Sequence, residues 1–141
     1  MLYERARIRS VVVGSDDDRQ DVDVMLSAAQ SPILDLVGQT NVGELAAVLR
    51  QCDLLVANDG GVGHLAAAAG TRVVSVFGPS NDAAWRPLTS TVVAADLPCR
   101  PCFYRGFERG LPNGCGTRQC MHLVTPRMVA DAAENALKET S

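Results

Sequence analysis

Leu54-Leu55-Val56-Ala57-Asn58-Asp59-Gly60-Gly61-Val62-Gly63-His64-Leu65-Ala66 is the stretch on which the fold turns. Four consecutive apolar residues fit a strand buried on both faces, three glycines within four positions fit a tight exit, and Gly63 to Ala69 reads as a helix of small residues. A strand, a glycine loop and a helix in that order form the repeating unit of a parallel sheet. Upstream, the run Ile8 to Val13 ends in Gly14-Ser15, and Asp16-Asp17-Asp18 puts acid ahead of Val22, Met25, Leu26 and Ala29 at helical spacing. Pro32 stops that helix, Ile33 to Val37 is a second strand, and Asn41 with Glu44 predicts a capped helix through Leu45, Val48 and Leu49 that ends near Cys52. Downstream, Val73 to Phe77 and Val92 to Ala94 are the fourth and fifth strands. Thr125-Pro126 predicts an N-cap with proline at N1 of a closing amphipathic helix. The expected fold class is α/β: a Rossmann-like, mostly parallel sheet with helices on both faces, in one domain spanning residues 1–141.

Composition narrows the functions open to such a fold. The chain has 141 residues, 47% hydrophobic and 21% charged, which is globular rather than disordered. Thirteen Lys and Arg against 16 Asp and Glu leave a net charge of -3, so no basic field exists to hold nucleic acid. No apolar run approaches the roughly 18 residues of a membrane span, and the N-terminus lacks the apolar segment of a signal peptide. The expectation is a cytoplasmic protein whose five cysteines stay reduced.

In an open parallel sheet, ligands sit beyond the carboxyl ends of the strands, here residues 14–18, 38–41, 58–64 and 78–82. The glycine loop is the most informative of these. Its amides, with those of the following helix, can cradle a phosphate; the same glycines can equally serve a tight turn alone. Asp59 and His64 favour a ligand. A carboxylate beside a phosphate site is wasteful unless it accepts from ligand hydroxyls, and an imidazole in the first helical turn can donate to a phosphate oxygen, although a capping or core role for His64 is equally open. Together the residues suit a sugar phosphate.

The stretch from Asp53 to Ala68, then Val74-Ser75-Val76-Phe77-Gly78-Pro79-Ser80-Asn81-Asp82, resembles the C-terminal half of glycosyltransferase family 9, the ADP-heptose:lipopolysaccharide heptosyltransferases. Asp96-Leu97-Pro98-Cys99-Arg100-Pro101-Cys102-Phe103-Tyr104-Arg105-Gly106, and Cys120-Met121 before Thr125-Pro126, extend the likeness in the family's order. The resemblance implies the C-terminal, donor-binding half of a GT-B enzyme that transfers a heptose-type sugar from ADP-heptose to a lipopolysaccharide core acceptor. Transfer would proceed with inversion and without a catalytic metal, in peripheral contact with the inner membrane. It implies that Asp59 binds sugar hydroxyls, that the Gly60 and Gly61 amides and His64 hold the diphosphate, and that Ser80 joins the donor contacts. Asp16 and Asp17 would face the ribose, and residues 38–44, Thr40 among them, the base.

Two departures from the family pattern stand out. Gly60 replaces a usual Ser or Thr and Val62 a frequent Pro, removing one hydroxyl donor from the loop. The family's N-terminal domain, with its acceptor site and catalytic base, and the first strand and basic loop of the donor domain have no counterpart in the sequence. The chain therefore reads as a fragment with no catalytic residue of its own. A non-catalytic nucleotide-binding or zinc-stabilised interaction module is the alternative.

Cys99, Cys102, Cys115 and Cys120 lie in a Pro/Gly-rich segment, residues 96–124, at spacings that allow a four-thiolate structural zinc; ordinary packing of reduced thiols is the competing reading. Arg100, Arg105, Arg109 and Arg118 among them would stabilise thiolates or face an anionic acceptor. Cys52 reads as a core residue.

Overall fold

The computed structural model describes residues 8–102, 115 and 117–139. The chain forms two compact units, Met1–Val48 and Leu49–Ser141. Every ladder in them is parallel.

In the first unit, β1 (Ser10–Val12) pairs with β2 (Ile33–Asp35), Ser10 opposite Ile33 and Val12 opposite Asp35. Both strands are shorter than the apolar runs that predict them. The acidic triplet forms a 3-10 turn, Asp16–Asp18, ahead of α1 (Arg19–Ala28). Its chemistry is local: the Ser15 amide and hydroxyl donate to Asp18 Oδ2 at 2.8 and 2.9 Å. At the end of β2, Asp35 accepts from the Val37 amide at 3.0 Å and from Arg19 at 2.8 Å. The predicted cap on α2 (Val42–Arg50) forms reciprocally: the Asn41 amide donates to Glu44 at 2.8 Å and the Glu44 amide to Asn41 Oδ1 at 3.0 Å.

The second unit carries β3 (Leu54–Asn58), β4 (Arg72–Phe77) and β5 (Ser90–Ala94) in the order β3-β4-β5. Between and after them come α3 (Gly61–Ala68), α4 (Asp82–Trp85), α5 (Gln119–His122) and α6 (Pro126–Lys138). The two short helices α4 and α5 carry too few residues to give a periodic signal and are absent from the sequence reading.

Strand β4 is central, and Val73 to Phe77 are all buried. Its two faces meet different helices. Val74 packs with Val93 and Ala136, flanked by Leu54, Val129 and Ala132, which places α6 on one face. A Cβ at Gly63 of α3 would lie 3.3 Å from Pro87 and 3.8 Å from Val73 and Ser75, the residues that alternate with Val74 onto the other face. Helices thus cover both faces of this sheet, and a nearly continuous apolar run, broken only by the buried Ser75, is the sequence such a strand carries. Each fully buried valine contributes roughly 1.5 to 3 kcal/mol. Further ties fix the frame: Thr71 Oγ1 donates to Leu49 O at 2.6 Å, Arg72 donates to Ala136 O, and the Thr125 hydroxyl caps α6 by accepting from the Met128 amide at 3.3 Å. Among the described residues, no helix is long and apolar enough to cross a membrane.

The first unit responds to acid in a definite direction. The Ser15 amide and hydroxyl hold the Asp18 carboxyl below the ordinary carboxylate value; for Asp35 the Val37 amide is the main cause, with Arg19 adding to it. Groups lowered by folding stabilise fully above their unfolded pKa, and that contribution is lost as pH falls through the folded value. An acid titration followed by amide NMR should therefore loosen the β1–β2 unit below about pH 4. Asp18→Asn should flatten the response, and an unchanged titration in that variant would exclude the Ser15–Asp18 brace as its source.

Candidate functional site

Two loops leave the carboxyl ends of adjacent strands in the second unit, and their side chains meet. The Asp59 amide donates to Val76 O at 2.9 Å, carrying the β3–β4 ladder one residue past the strand and fixing Asp59 at its rim. From the loop after β4, the Ser80 hydroxyl donates to Asp59 Oδ2 at 2.6 Å. One carboxylate oxygen is thereby oriented by the protein, leaving Oδ1 to a ligand donor. Between them starts α3. Its N-cap is Gly60, no side chain caps it, and its first-turn amides have no partner within the helix, so they present the positive end of its dipole.

These groups border a cavity of about 650 Å³. Asp59, Gly60, Gly61, His64 and Ser80, five of the residues expected from the sequence, line it together. Trp85, Met121, Pro79 and Val76 form an apolar part of its wall that the sequence reading missed. Trp85 and Met121 lie in the two short helices, so no periodicity pointed to them. A smaller cavity of about 420 Å³ lies against β5 and α6 and includes one ionisable side chain, Glu139.

The glycines divide into two kinds. Gly63 is buried against Pro87, where a Cβ would stand a tight 3.3 Å from the ring. Gly60 has φ 171°, extended backbone open to any residue. A Cβ there would come no nearer than 3.9 Å to a neighbour, and at Gly61 it would meet nothing within 4 Å. The space before these two amides is the cavity itself. A hydroxyl residue at position 60, the usual family choice, would fit this backbone.

The loop bearing Ser80 is braced by the cysteine-containing segment. Arg100 donates through Nε to Gly78 O at 2.7 Å and through Nη1 to Ala95 O at 3.0 Å, and its Nη2 lies 3.2 Å from Asp82 Oδ1. The Cys102 amide donates to Pro79 O at 2.9 Å. Met121 fills the space over Gly78, where a Cβ would stand 2.5 Å from its sulfur. Arg100 was expected to face thiolates or an anionic acceptor; its guanidinium is instead spent on two carbonyls and Asp82. Arg118 precedes α5 with φ 43°. Arg105 and Arg109 lie outside the described residues.

The four-thiolate zinc reading finds no support in the structure. Cys99, Cys102, Cys115 and Cys120 are reduced thiols, and no group of three or more His, Cys, Asp or Glu able to hold a metal ion occurs among the described residues. Three of these cysteines have contacts of their own: the Cys102 amide is tied to Pro79, Cys120 is buried near Gly78, and Cys115 Sγ lies 3.5 Å from Thr117 Oγ1. Burial, with the neighbouring cysteines, pushes the Cys102 thiol up, whereas the Thr117 hydroxyl draws the exposed Cys115 thiol down. Cys52 is half-buried and raised by that burial, as a packing residue should be.

Asp16, Asp17 and Thr40 belong to the first unit. Gly38 there adopts φ +70°, a left-handed conformation that favours glycine, and donates to Gly14 O at 3.0 Å; a Cβ there would force the Asp16 carboxylate to move. Asp17 is exposed and Thr40 half-buried.

The Arg100 brace sets a stability expectation. Arg100 is 12% exposed at its side chain, so Arg100→Ala should cost about 1.5 to 3 kcal/mol, and Arg100→Lys should recover only part, since an ammonium cannot span the three acceptors in one plane. Urea unfolding measures this; a midpoint unchanged in Arg100→Ala would contradict the brace.

With this geometry in place, the likenesses to known proteins can be read. A family model described as glycosyltransferase family 9 (heptosyltransferase) matches residues 2–109. Lipooligosaccharide heptosyltransferase 2 of Campylobacter jejuni is 29% identical over 111 residues, covering 77% of this chain and 33% of that protein. Lipopolysaccharide heptosyltransferase 3 of Escherichia coli K12 is 36% identical over 80 residues, 56% of this chain and 23% of that protein. Among solved structures, a glycosyl transferase family 9 protein from Veillonella parvula superposes with a TM-score of 0.82 at 24% identity, over 97% of this chain and 38% of the other. The E. coli ADP-heptose lps heptosyltransferase II gives 0.75 at 20%, over 99% and 40%. The structural likenesses establish a shared fold. The chain spans about a third or less of the length of these curated relatives.

Proposed function

The chain belongs to glycosyltransferase family 9, and from that premise we propose that its 141 residues form the donor-binding part of an inverting heptosyltransferase, within the C-terminal half of a GT-B fold. The donor is a nucleoside diphosphate heptose, ADP-heptose, and the acceptor a lipopolysaccharide core; the work is done at the cytoplasmic face of the inner membrane. The observation that carries this reading is the Ser80–Asp59 hydrogen bond beside the uncapped start of α3, within one cavity.

Each group has a definite task. Asp59, with Oδ2 held by Ser80, accepts from sugar hydroxyls through Oδ1. The amides at Gly60 and Gly61, with His64, hold the diphosphate. In the transfer, an acceptor oxygen attacks the anomeric carbon, the bond to the β-phosphate breaks, the acceptor proton passes to a general base, and the nucleoside diphosphate departs with added negative charge. Preorganised amides and a helix dipole stabilise that charge as it develops, without a metal. Asp16 and Asp17 contact the ribose and Thr40 borders the base. Neither carboxylate at this edge is placed as the general base: Asp59 faces the donor and Asp82 is engaged by Arg100.

Asp59→Ala and His64→Ala should each weaken ADP-heptose binding by about 1 to 3 kcal/mol, the loss usual for a charge-assisted hydrogen bond. Calorimetric titration measures it, and unchanged affinity in both variants removes the loop from the site. The 141-residue chain should bind donor without turnover; transfer to a deacylated core acceptor at the rate of a complete two-domain enzyme would contradict the division of labour.

A further inference from the structure

Resting on the donor-site reading, we propose that Trp85 is the wall on which the donor sugar ring lies, so that this residue distinguishes a nucleoside diphosphate sugar from the bare nucleoside diphosphate. Trp85 is the chain's only tryptophan, is 50% exposed, and lines the cavity that Asp59, Ser80 and the start of α3 also line.

Its backbone is held on both sides. The Trp85 amide donates to Asn81 O at 3.0 Å, Asn81 Oδ1 caps α4 by accepting from the Ala83 amide at 3.1 Å, and Arg100 secures Asp82 one turn earlier. Two residues on, Pro87 is buried against Gly63 of α3, which ties the segment to the helix whose amides face the cavity. A large indole left half in water on so fixed a backbone forgoes much of the burial energy open to it, unless a ligand covers it. Little ordering entropy would then be lost on binding, because the platform is already in place.

The distribution of polarity selects the ligand part. A sugar ring carries hydroxyls around its edge and C–H bonds on its faces. Asp59 and Ser80 offer acceptor and donor chemistry for the edge, while Trp85, beside Met121 and Pro79, offers an apolar surface for a face. A phosphate gains nothing from the electron-rich indole face and belongs at the α3 amides. The ring bonded directly to that diphosphate on the donor side is the sugar, and a carboxylate in the same cavity favours a ring bearing hydroxyls.

The test compares ADP-heptose with ADP on the 141-residue chain. Since Trp85 is the sole indole, its fluorescence should change on adding ADP-heptose and change much less with ADP. By calorimetry, Trp85→Ala should lower ADP-heptose affinity about 3- to 10-fold while leaving ADP affinity unaltered, and Trp85→Phe should keep most of the discrimination. Equal weakening of both ligands, no weakening of either, or identical fluorescence responses would overturn the proposal. If Trp85→Ala does not fold, the fluorescence pair and Trp85→Phe decide. Should Asp59→Ala lose ADP-heptose affinity while the Trp85 variants do not, only the wall is wrong. Failure of the unmodified chain to bind either ligand overturns the donor-site reading, and the wall with it.

Discussion

The site in the second unit depends on the burial of β4 on both faces. A strand in the middle of a parallel sheet is covered on both faces, and Val73 to Phe77 are all buried between α3 and α6, apolar at every position but Ser75. Because β3 runs parallel beside β4, with Leu54 opposite Arg72 and Asn58 opposite Val76, both strands deliver their loops to the same edge of the sheet. Asp59 and Ser80 can then meet at 2.6 Å although 21 residues separate them. The chemistry follows from the ladder: a carboxylate oriented on one oxygen, set next to helix amides that lack intrahelical partners.

Holding two loops in register at a sheet edge takes a second layer, and the cysteine-containing segment supplies it. Arg100 bridges the end of β4, the end of β5 and the start of α4 through Gly78 O, Ala95 O and Asp82. Met121 packs where Gly78 has no side chain, and Cys102 anchors the next residue, Pro79. In a buried, low-dielectric setting such a guanidinium fixes geometry because abandoning any one acceptor leaves it unsatisfied. Arg100, Cys102 and Met121, among the described residues of that segment, give mechanical support.

Much of this was legible in the sequence because it rests on local rules. Alternating apolar runs and loops identified the five strands; the Asn41–Glu44 box and the Thr125-Pro126 start were readable from side-chain chemistry alone and form as expected. Asp59 and His64 stood out because glycine-rich strand exits in parallel sheets collect ligands, while Ser80 entered only through the family resemblance. What was not legible depends on contacts distant in sequence. Nothing near Arg100 announces Gly78 or Ala95 as its partners, so its charge was read as facing thiols. Cysteine spacing measures separation along the chain and says nothing of the contacts at Pro79 and Gly78 that Cys102 and Cys120 make. The helix bearing Trp85 has four residues, one turn, too short for any period. The glycines misled for the opposite reason: an extended φ at Gly60 asks for no glycine, so its identity there carries no backbone requirement.

The most direct test of the account is amide NMR of the labelled chain during titration with ADP-heptose. The site as described predicts that the largest shifts fall on Gly60, Gly61 and His64, with Asp59 and Ser80 close behind, because the diphosphate takes the free amides of α3 and the sugar takes the carboxylate beside them. Shifts of that size appearing instead along β5 and α6, with residues 58–64 and 78–82 unmoved, would contradict it.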